Sequence, residues 1–374
     1  MDVAAPNLRL IAWEITRSCN LYCSHCRSSS TSDRYANELS SEECFSVIDN
    51  ILEIGKPIVI LSGGEPLLRD DFFDIAKYAA DKELRVAVGS NGTLVTKEIA
   101  ARMKEIPISR LGISVDFPTP ALQDQFRGMS GAFDAALQGI ENAINCGVEV
   151  QINSTITKLN ACYLDDLLSL ALDLGAVAFH PFMLVPTGRG KELESQELPP
   201  EEYERILHWI CDKQAEMGER IFFKPTDAPH YIRVMLQRNR NSQTQGTPDI
   251  QEEMNSLTRG CLAGIGFCFI SHVGRVQGCG YLDVEAGNIR EQSFSEIWRN
   301  SPLFNDLRDY SKIKGKCGIC EYKVVCGGCR ARAYEVTGDY LAEEPYCIYQ
   351  PAPAVSSSTS ALSNSKIQRT HVRQ

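Results

Sequence analysis

No apolar run in this 374-residue sequence approaches the roughly 20 residues that a membrane-spanning helix needs. Residues 1–9 lack the charged-then-apolar layout of a signal peptide. A cationic surplus is missing too: 38 Lys and Arg stand against 48 Asp and Glu, a formal net charge of -10. Phosphate binding needs a cationic face, so nucleic acid is disfavoured as a partner, although a local basic patch for a small anion is not. Internal repeats are absent as well. The expectation is a cytoplasmic protein with neither a membrane nor a nucleic-acid partner. Its length suffices for one large domain and a smaller one.

Cysteine is the residue in excess. Thiols stay reduced in the cytoplasm, so 15 cysteines read as metal ligands before they read as a disulfide frame. Their distribution sharpens that reading. Cys19, Cys23 and Cys26 lie within eight residues, and eight more fall between Cys261 and Cys347. Cys44, Cys146, Cys162 and Cys211 are scattered singly and read as buried apolar thiols. Two clusters separated by a cysteine-poor stretch predict two metal-binding regions.

Between residues 8 and 190 the chain alternates strand-like and helix-like segments. Strands are expected over 8–15, 58–61, 85–88, 111–115, 149–156 and 176–184. The first helix starts at Ser40, a good N-cap, with Glu42 and Glu43 in its first turn. Others are expected over 71–82, 96–105, 131–146 and 163–174, and a further one over 199–217 behind Pro199 and Pro200. The alternation predicts an α/β fold of parallel units forming a partial or complete barrel. In such folds the loops after the strands carry the chemistry. The cysteine triplet, Gly63–Pro66, Ser90–Gly92 and Ser114–Asp116 all fall at such strand ends. Residues 8–223 are thus read as the barrel, 224–260 as a polar bridge or substrate cover, 261–349 as a cysteine-rich domain, and 350–374 as a disordered tail.

The triplet has the spacing C-x3-C-x2-C. With cysteine at 15 of 374 positions, such a triplet arises by chance about 0.02 times, whereas a lone C-x2-C arises about 0.6 times. Iron–sulfur clusters usually take four thiolates. Three would leave one iron open to a small molecule, by the logic of an open catalytic zinc site. A zinc knuckle that borrows His25 is the alternative.

On these residues the sequence resembles the radical S-adenosylmethionine (SAM) superfamily. The resemblance implies a partial parallel (β/α) barrel and a 4Fe–4S cluster on Cys19, Cys23 and Cys26. The open iron of that cluster chelates the amino and carboxylate groups of S-adenosylmethionine. Reductive cleavage of the cofactor then gives methionine and a 5′-deoxyadenosyl radical. Gly63-Gly64-Glu65-Pro66 matches the loop that binds the methionine amino group; adjacent glycines permit close approach, and Glu65 can accept from an ammonium. Ser90 and Asn91 match the stretch that meets the ribose hydroxyls. Ser114 and Asn153 sit where later strands line the cofactor, and Arg127 is a candidate partner for the methionine carboxylate. The family often has Ser-x-Asp-Gly after the fourth strand, where this chain reads Ser114-Val-Asp116-Phe117-Pro118.

The run Cys317-x2-Cys320-x5-Cys326-x2-Cys329, followed by Cys347, resembles the SPASM auxiliary-cluster domain. Cys268 and Gly274-x4-Cys279 fit the first half of that pattern. SPASM domains usually place three residues where Cys326-Gly-Gly-Cys329 has two. Eight thiolates can saturate two four-iron clusters. The resemblance assigns Cys261, Cys268, Cys279 and Cys329 to one and Cys317, Cys320, Cys326 and Cys347 to the other. Two structural zinc sites are the alternative that spacing leaves open.

Residues 8–17, 260–272, 326–334 and 338–347 carry a closer resemblance, to the radical haem synthases of the alternative, sirohaem-derived haem pathway. It implies oxidative decarboxylation of two propionates of iron-coproporphyrin III to vinyl groups, giving haem b. A flavodoxin or ferredoxin would be the reducing donor and an auxiliary cluster the electron sink. The porphyrin carboxylates need cationic partners, for which Arg189, Arg233, Arg259, Arg275, Arg330 and Arg332 are available. His180, His230 and His272 are candidate ligands of the substrate iron. A peptide- or sulfatase-maturing relative, another tetrapyrrole-modifying relative, and a non-enzymatic electron-transfer protein are the competing readings.

Overall fold

A computed structural model describes residues 7–242 and 260–351 of the chain. The expected tail beyond 351 and residues 243–259 of the polar bridge, with the candidate Arg259, lie outside the described residues.

The alternation expected from sequence is present. It runs β1 (Leu10–Thr16), α1 (Ser41–Leu52), β2 (Ile58–Gly63), α2 (Phe72–Asp81), β3 (Arg85–Ser90), α3 (Lys97–Glu105) and β4 (Arg110–Ser114). It continues through α4 (Pro120–Arg127), α5 (Ala132–Asn145), β5 (Val150–Ile156), α6 (Leu164–Asp173) and β6 (Ala178–Met183). Ser40 caps α1 with a full capping box: its hydroxyl accepts from Glu43 N, and the Glu43 carboxylate accepts from Ser40 N. Such a cap contributes about 1 kcal/mol.

Next come α7 (Pro200–Met217), the two-residue β7 (Phe222–Phe223) and α8 (Tyr231–Ser242). The polar stretch expected to bridge or to cover the substrate therefore contains a packed helix, in which Ile232 and Val234 are buried beside Arg233. The C-terminal region contains β8 (Phe267–Ile270), β9 (Arg275–Gln277), β10 (Glu285–Asn288), α9 (Phe294–Asn300) and α10 (Pro302–Arg308). Two short helices, α11 (Gly315–Ile319) and α12 (Arg330–Thr337), complete it.

Among the described residues, ten strands form one sheet, in the order β10-β9-β8-β1-β2-β3-β4-β5-β6-β7. From β1 to β7 neighbours pair in parallel, the partial barrel expected from the sequence. The C-terminal region shares this sheet, because β8 pairs in parallel with the free edge of β1. The β9 and β10 strands then return antiparallel.

Alternation along each strand divides the side chains between two environments. Ile11, Trp13, Val59, Leu61, Val86, Val88, Ile152 and Ile156 are buried beneath the helices. The opposite, concave face carries small and polar residues that remain half-exposed: Ala12, Ser62, Ala87, Gly89, Ser114, Asn153 and Thr155. A sheet that buries one face under helices and lines the other with small polar groups leaves room for ligands inside the curve.

Candidate functional site

The cysteine triplet occupies the loop that follows β1. Every thiol of it meets a donor: Leu21 N at 3.4 Å from Cys19 Sγ, Arg127 Nη1 at 3.8 Å from Cys23 Sγ, and Ser30 N at 3.3 Å from Cys26 Sγ. Burial pushes the Cys19 thiol up to about 12 and raises Cys23 as well. Buried thiols of this kind ionise only with a cationic partner, which is what a metal ligand requires. Arg189 shapes the loop from outside it, donating to Cys23 O at 2.8 Å and to Ser30 O at 3.1 Å, with its guanidinium 3.7 Å from the centroid of the Tyr22 ring.

The loop after β2 lies directly against this one. A Cβ on Gly63 would sit 2.5 Å from Thr16 O, and one on Gly64 would sit 2.3 Å from Ser18 O. Glycine is required here by close backbone approach, as expected. The fully buried Glu65 carboxylate accepts from Ser90 Oγ, Asn91 N and Leu67 N at 2.8–3.2 Å. Burial raises its pKa to about 7 against the lowering effect of these donors. Through these bonds Glu65 locks the loop after β2 to the loop after β3. Ser90 serves that lock. Asn91 reaches further, donating to Asn20 Oδ1 at 2.8 Å, with Cys19 Sγ 3.9 Å away.

Arg127 also has partners within the chain, and its Nε is buried with none among the described residues. It forms a buried ion pair with Asp116 beside its contact to Cys23. Asp116 is held in turn by Thr155 N at 2.8 Å, and its carbonyl accepts from Asn160 Nδ2 at 2.9 Å. The departure from the family's usual loop at Phe117 and Pro118 is stabilised by Gln123, whose Oε1 accepts from Asp116 N and Phe117 N. Ser114, Asn153 and His180 occupy one row across β4, β5 and β6, in direct register.

His25 stacks on Phe126 with ring centroids 4.5 Å apart, and burial lowers its pKa to about 4. Among the described residues, no three His, Cys, Asp or Glu side chains converge as they would around a single ion. An iron–sulfur cluster distributes its thiolates over separate irons and demands no such convergence.

In the C-terminal region Cys317, Cys320, Cys326 and Cys347 line one partly open pocket, together with His230 and Arg233. Arg233 pairs with Glu204 through both guanidinium nitrogens, at 2.7 and 2.5 Å, and contacts Cys347 Sγ at 3.8 Å. Cys261, Cys279 and Cys329 form a second group whose thiols bear electrostatically on one another. Cys268 does not join them. It is fully buried in the hydrophobic layer, and Arg308 is the one charged group that bears on its thiol.

Among the described residues, the arginines nominated for substrate carboxylates have partners within the protein, although Arg233 Nε and Arg330 Nη2 are buried with none. Arg275 pairs with Glu285 and Asp283, Arg330 donates to Tyr340 O and Ala342 O, and fully buried Arg332 donates to Asp227 O and Leu184 O. Among the histidines, His272 Nδ1 donates to Glu14 at 2.7 Å. His230 stacks on Tyr203. His180 keeps a buried Nε2 with no partner among the described residues. Glu14, Asn20, Asp116, Gln123 and Asn160 were missed from sequence. Only Asn20, inside the triplet, and Asp116, inside an expected loop, carried any local signal.

The model of the Radical SAM superfamily matches residues 13–171, and that of an iron–sulfur cluster-binding domain, SPASM, matches residues 261–329. The AdoMet-dependent heme synthase of Methanosarcina barkeri is 52% identical over 92% of this chain and 97% of its own length. This chain belongs to the radical SAM haem synthase family. Its relative of the same name from Oleidesulfovibrio alaskensis is 47% identical over 94% of this chain and 90% of its own. Streptococcus suis SuiB bound to S-adenosylmethionine shares the fold, with a TM-score of 0.73 at 15% identity over 92% of this chain and 78% of that one. The chain is a radical SAM enzyme, whose two matched domains imply four-iron clusters and S-adenosylmethionine. The thiol sets, with their donors and their burial, fit such clusters.

Proposed function

We propose that the chain oxidatively decarboxylates two propionates of iron-coproporphyrin III to vinyl groups, giving haem b. The observation that carries this reading is 52% identity over 92% of the chain to a protein named for that product, with the three-cysteine loop folded at the mouth of the barrel. The cofactor set proposed is one cluster on Cys19, Cys23 and Cys26, two auxiliary clusters in the C-terminal region, and S-adenosylmethionine. A flavodoxin or ferredoxin is the proposed donor. When bound, a reduced four-iron cluster and S-adenosylmethionine together supply a hydrogen-abstracting radical.

The chain's own residues then have distinct tasks. Gly63 and Gly64 let the loop after β2 lie against the cluster loop, and Glu65 locks it to Ser90 and Asn91. Arg127 and Arg189 hold the Cys23 segment from two sides. The row of Ser114, Asn153 and His180 lines the concave face where cofactor and substrate would meet. Lys224 follows β7 on the same curve, and burial lowers its pKa. A substrate carboxylate beside it would offset that penalty. Per propionate, the substrate gives up one hydrogen atom, one carbon dioxide and one electron, so the porphyrin must be held with its β-carbon fixed and water excluded.

The test is anaerobic incubation of reconstituted protein with S-adenosylmethionine, a reductant and iron-coproporphyrin III, followed by mass analysis. Successive loss of two formic-acid equivalents, with 5′-deoxyadenosine formed alongside, supports the proposal. Release of 5′-deoxyadenosine with an unchanged porphyrin would sink the substrate assignment and leave a peptide or another tetrapyrrole.

A further inference from the structure

We infer that Asp227, and not Cys268, supplies the fourth ligand of the auxiliary cluster held by Cys261, Cys279 and Cys329. This rests on the proposal above that the C-terminal region carries auxiliary clusters.

Sheet register removes Cys268 from the set. Cys268 on β8 lies directly beside Ile11 on β1, and Phe269 beside Ala12. Residues in register on paired strands point to the same face. Ile11 belongs to the buried layer under the helices, whereas Ala12 lies on the concave face. Phe269 follows Ala12 inward, where the Arg27 guanidinium stands 4.5 Å from its ring centroid. Cys268 therefore points outward, toward the layer that holds Trp298 and Phe304. Arg308, which bears on its thiol, donates to the carbonyls of Gly264 and Trp298 in that layer. Reaching Cys279 would require a one-residue slip of β8, which would turn Phe269 and Ile270 over as well.

The other three cysteines lie outside the strands, in connecting segments. Cys261 N donates to Cys326 O, and Cys329 N donates to the buried Glu344 carboxylate at 2.7 Å. Tyr281, two residues beyond Cys279, lies within the electrostatic reach of Arg27 and Cys26 at the barrel mouth. Arg332 links Asp227 to this group: its Nη1 donates to Asp227 O at 3.0 Å and its backbone N meets Cys329 Sγ at 3.5 Å. Asp227 follows Thr226, which bridges to Phe182 at the end of β6. Its carbonyl is clamped by Tyr203 Oη at 2.8 Å and Arg332 Nη1 at 3.0 Å. Its φ of 58° is left-handed, a conformation that costs a non-glycine residue and persists where surroundings impose it.

The side chain so directed has a buried Oδ2 with no hydrogen-bond partner among the described residues. Its carboxyl group lies within electrostatic reach of the thiols of Cys261, Cys279 and Cys329. A buried carboxylate oxygen without a donor is unsatisfied within the protein alone, and an iron ion would satisfy it. An oxygen ligand in place of a fourth thiolate changes the charge at one iron and hence the cluster potential, as histidine ligands do in Rieske centres.

The experiment uses full-length protein in which Cys19, Cys23 and Cys26 are all changed to Ala, so that only auxiliary clusters contribute. Iron and sulfide are counted, and reduced samples are examined by electron paramagnetic resonance with and without added cyanide. Cys268→Ala and Cys268→Val should keep the iron content and both auxiliary signals of the parent. Asp227→Ala should alter one signal and open that cluster to cyanide, which the parent excludes. Asp227→Cys should close the site again and shift the midpoint potential. Loss of ~4 irons per chain in both Cys268 variants would overturn the assignment. So would unchanged signals, potential and cyanide exclusion in both Asp227 variants. A parent without iron would overturn the auxiliary-cluster reading itself, and the ligand assignment with it.

Discussion

Glu14 and His272, 258 residues apart in sequence, meet at 2.7 Å, His272 Nδ1 donating to Glu14 Oε1. The other carboxylate oxygen of Glu14 accepts from Arg27 Nη2 at 2.6 Å and Ser28 Oγ at 2.8 Å. One buried carboxylate thus ties β1, the cluster loop and the C-terminal region together. Burial alone would raise its pKa, but Arg27 and His272 outweigh that effect and hold it at about 2.

Its linkage to stability has a definite sign. A carboxyl group depressed from 4.5 to about 2 binds fewer protons folded than unfolded. Its contribution is present above about pH 4.5 and is lost as pH falls toward about 2. That contribution is on the order of 3 kcal/mol. Denaturant unfolding of metal-free protein, followed by far-ultraviolet dichroism, should find Glu14→Gln less stable at pH 7. The gap from the parent should narrow between pH 4.5 and 2. A gap independent of pH would show that the network is not ionic.

Gly64→Ala places a methyl group against the carbonyls of Arg17 and Ser18, which are backbone and cannot swing aside. Overpacking of this kind costs about 1–3 kcal/mol. The cost should appear as displacement of the cluster loop, with weaker S-adenosylmethionine binding in calorimetry and a lower thermal midpoint. Gly131→Ala is the control. Its Cβ meets nothing within 4 Å, so only its left-handed φ of 79° is penalised, and cofactor affinity should hold.

Removing Arg127 leaves Asp116 buried without its counter-ion, a change that typically costs 3–5 kcal/mol. Arg127→Ala should lose iron from the N-terminal cluster, since Cys23 also loses its donor. Arg127→Ala combined with Asp116→Asn should recover stability but not the Cys23 contact. Equal iron content in the parent and the single variant would refute a positioning role.

The two cysteine regions should separate functionally. Cys19→Ala should abolish cleavage of S-adenosylmethionine, measured as 5′-deoxyadenosine. Cys320→Ala, which alters the cavity lined by Cys317, Cys326 and Cys347, should spare abortive cleavage yet yield no haem. Full haem formation by the Cys320 variant would remove the case for an essential cluster there.

Much of this protein was legible in the chain itself, because the relevant information is local. The triplet's three thiols share one loop whatever the rest of the chain does, and glycine pairs report close approach directly. The alternation of 3.6- and 2-residue periods located six strands and their helices to within about two residues, since each period reflects one buried face. Tertiary structure alone decided which charges are free and which way a strand faces. Glu65, Arg127, Arg233 and Arg332 look equally available in sequence, and each meets a partner that only folding brings near. Cys268 fits the spacing of a ligand, yet its direction depends on register with β1, more than 250 residues earlier. Asp227 fits no motif at all. Its placement comes from two donors on distant elements, Tyr203 and Arg332, and long-range pairing of that kind leaves no local pattern to read.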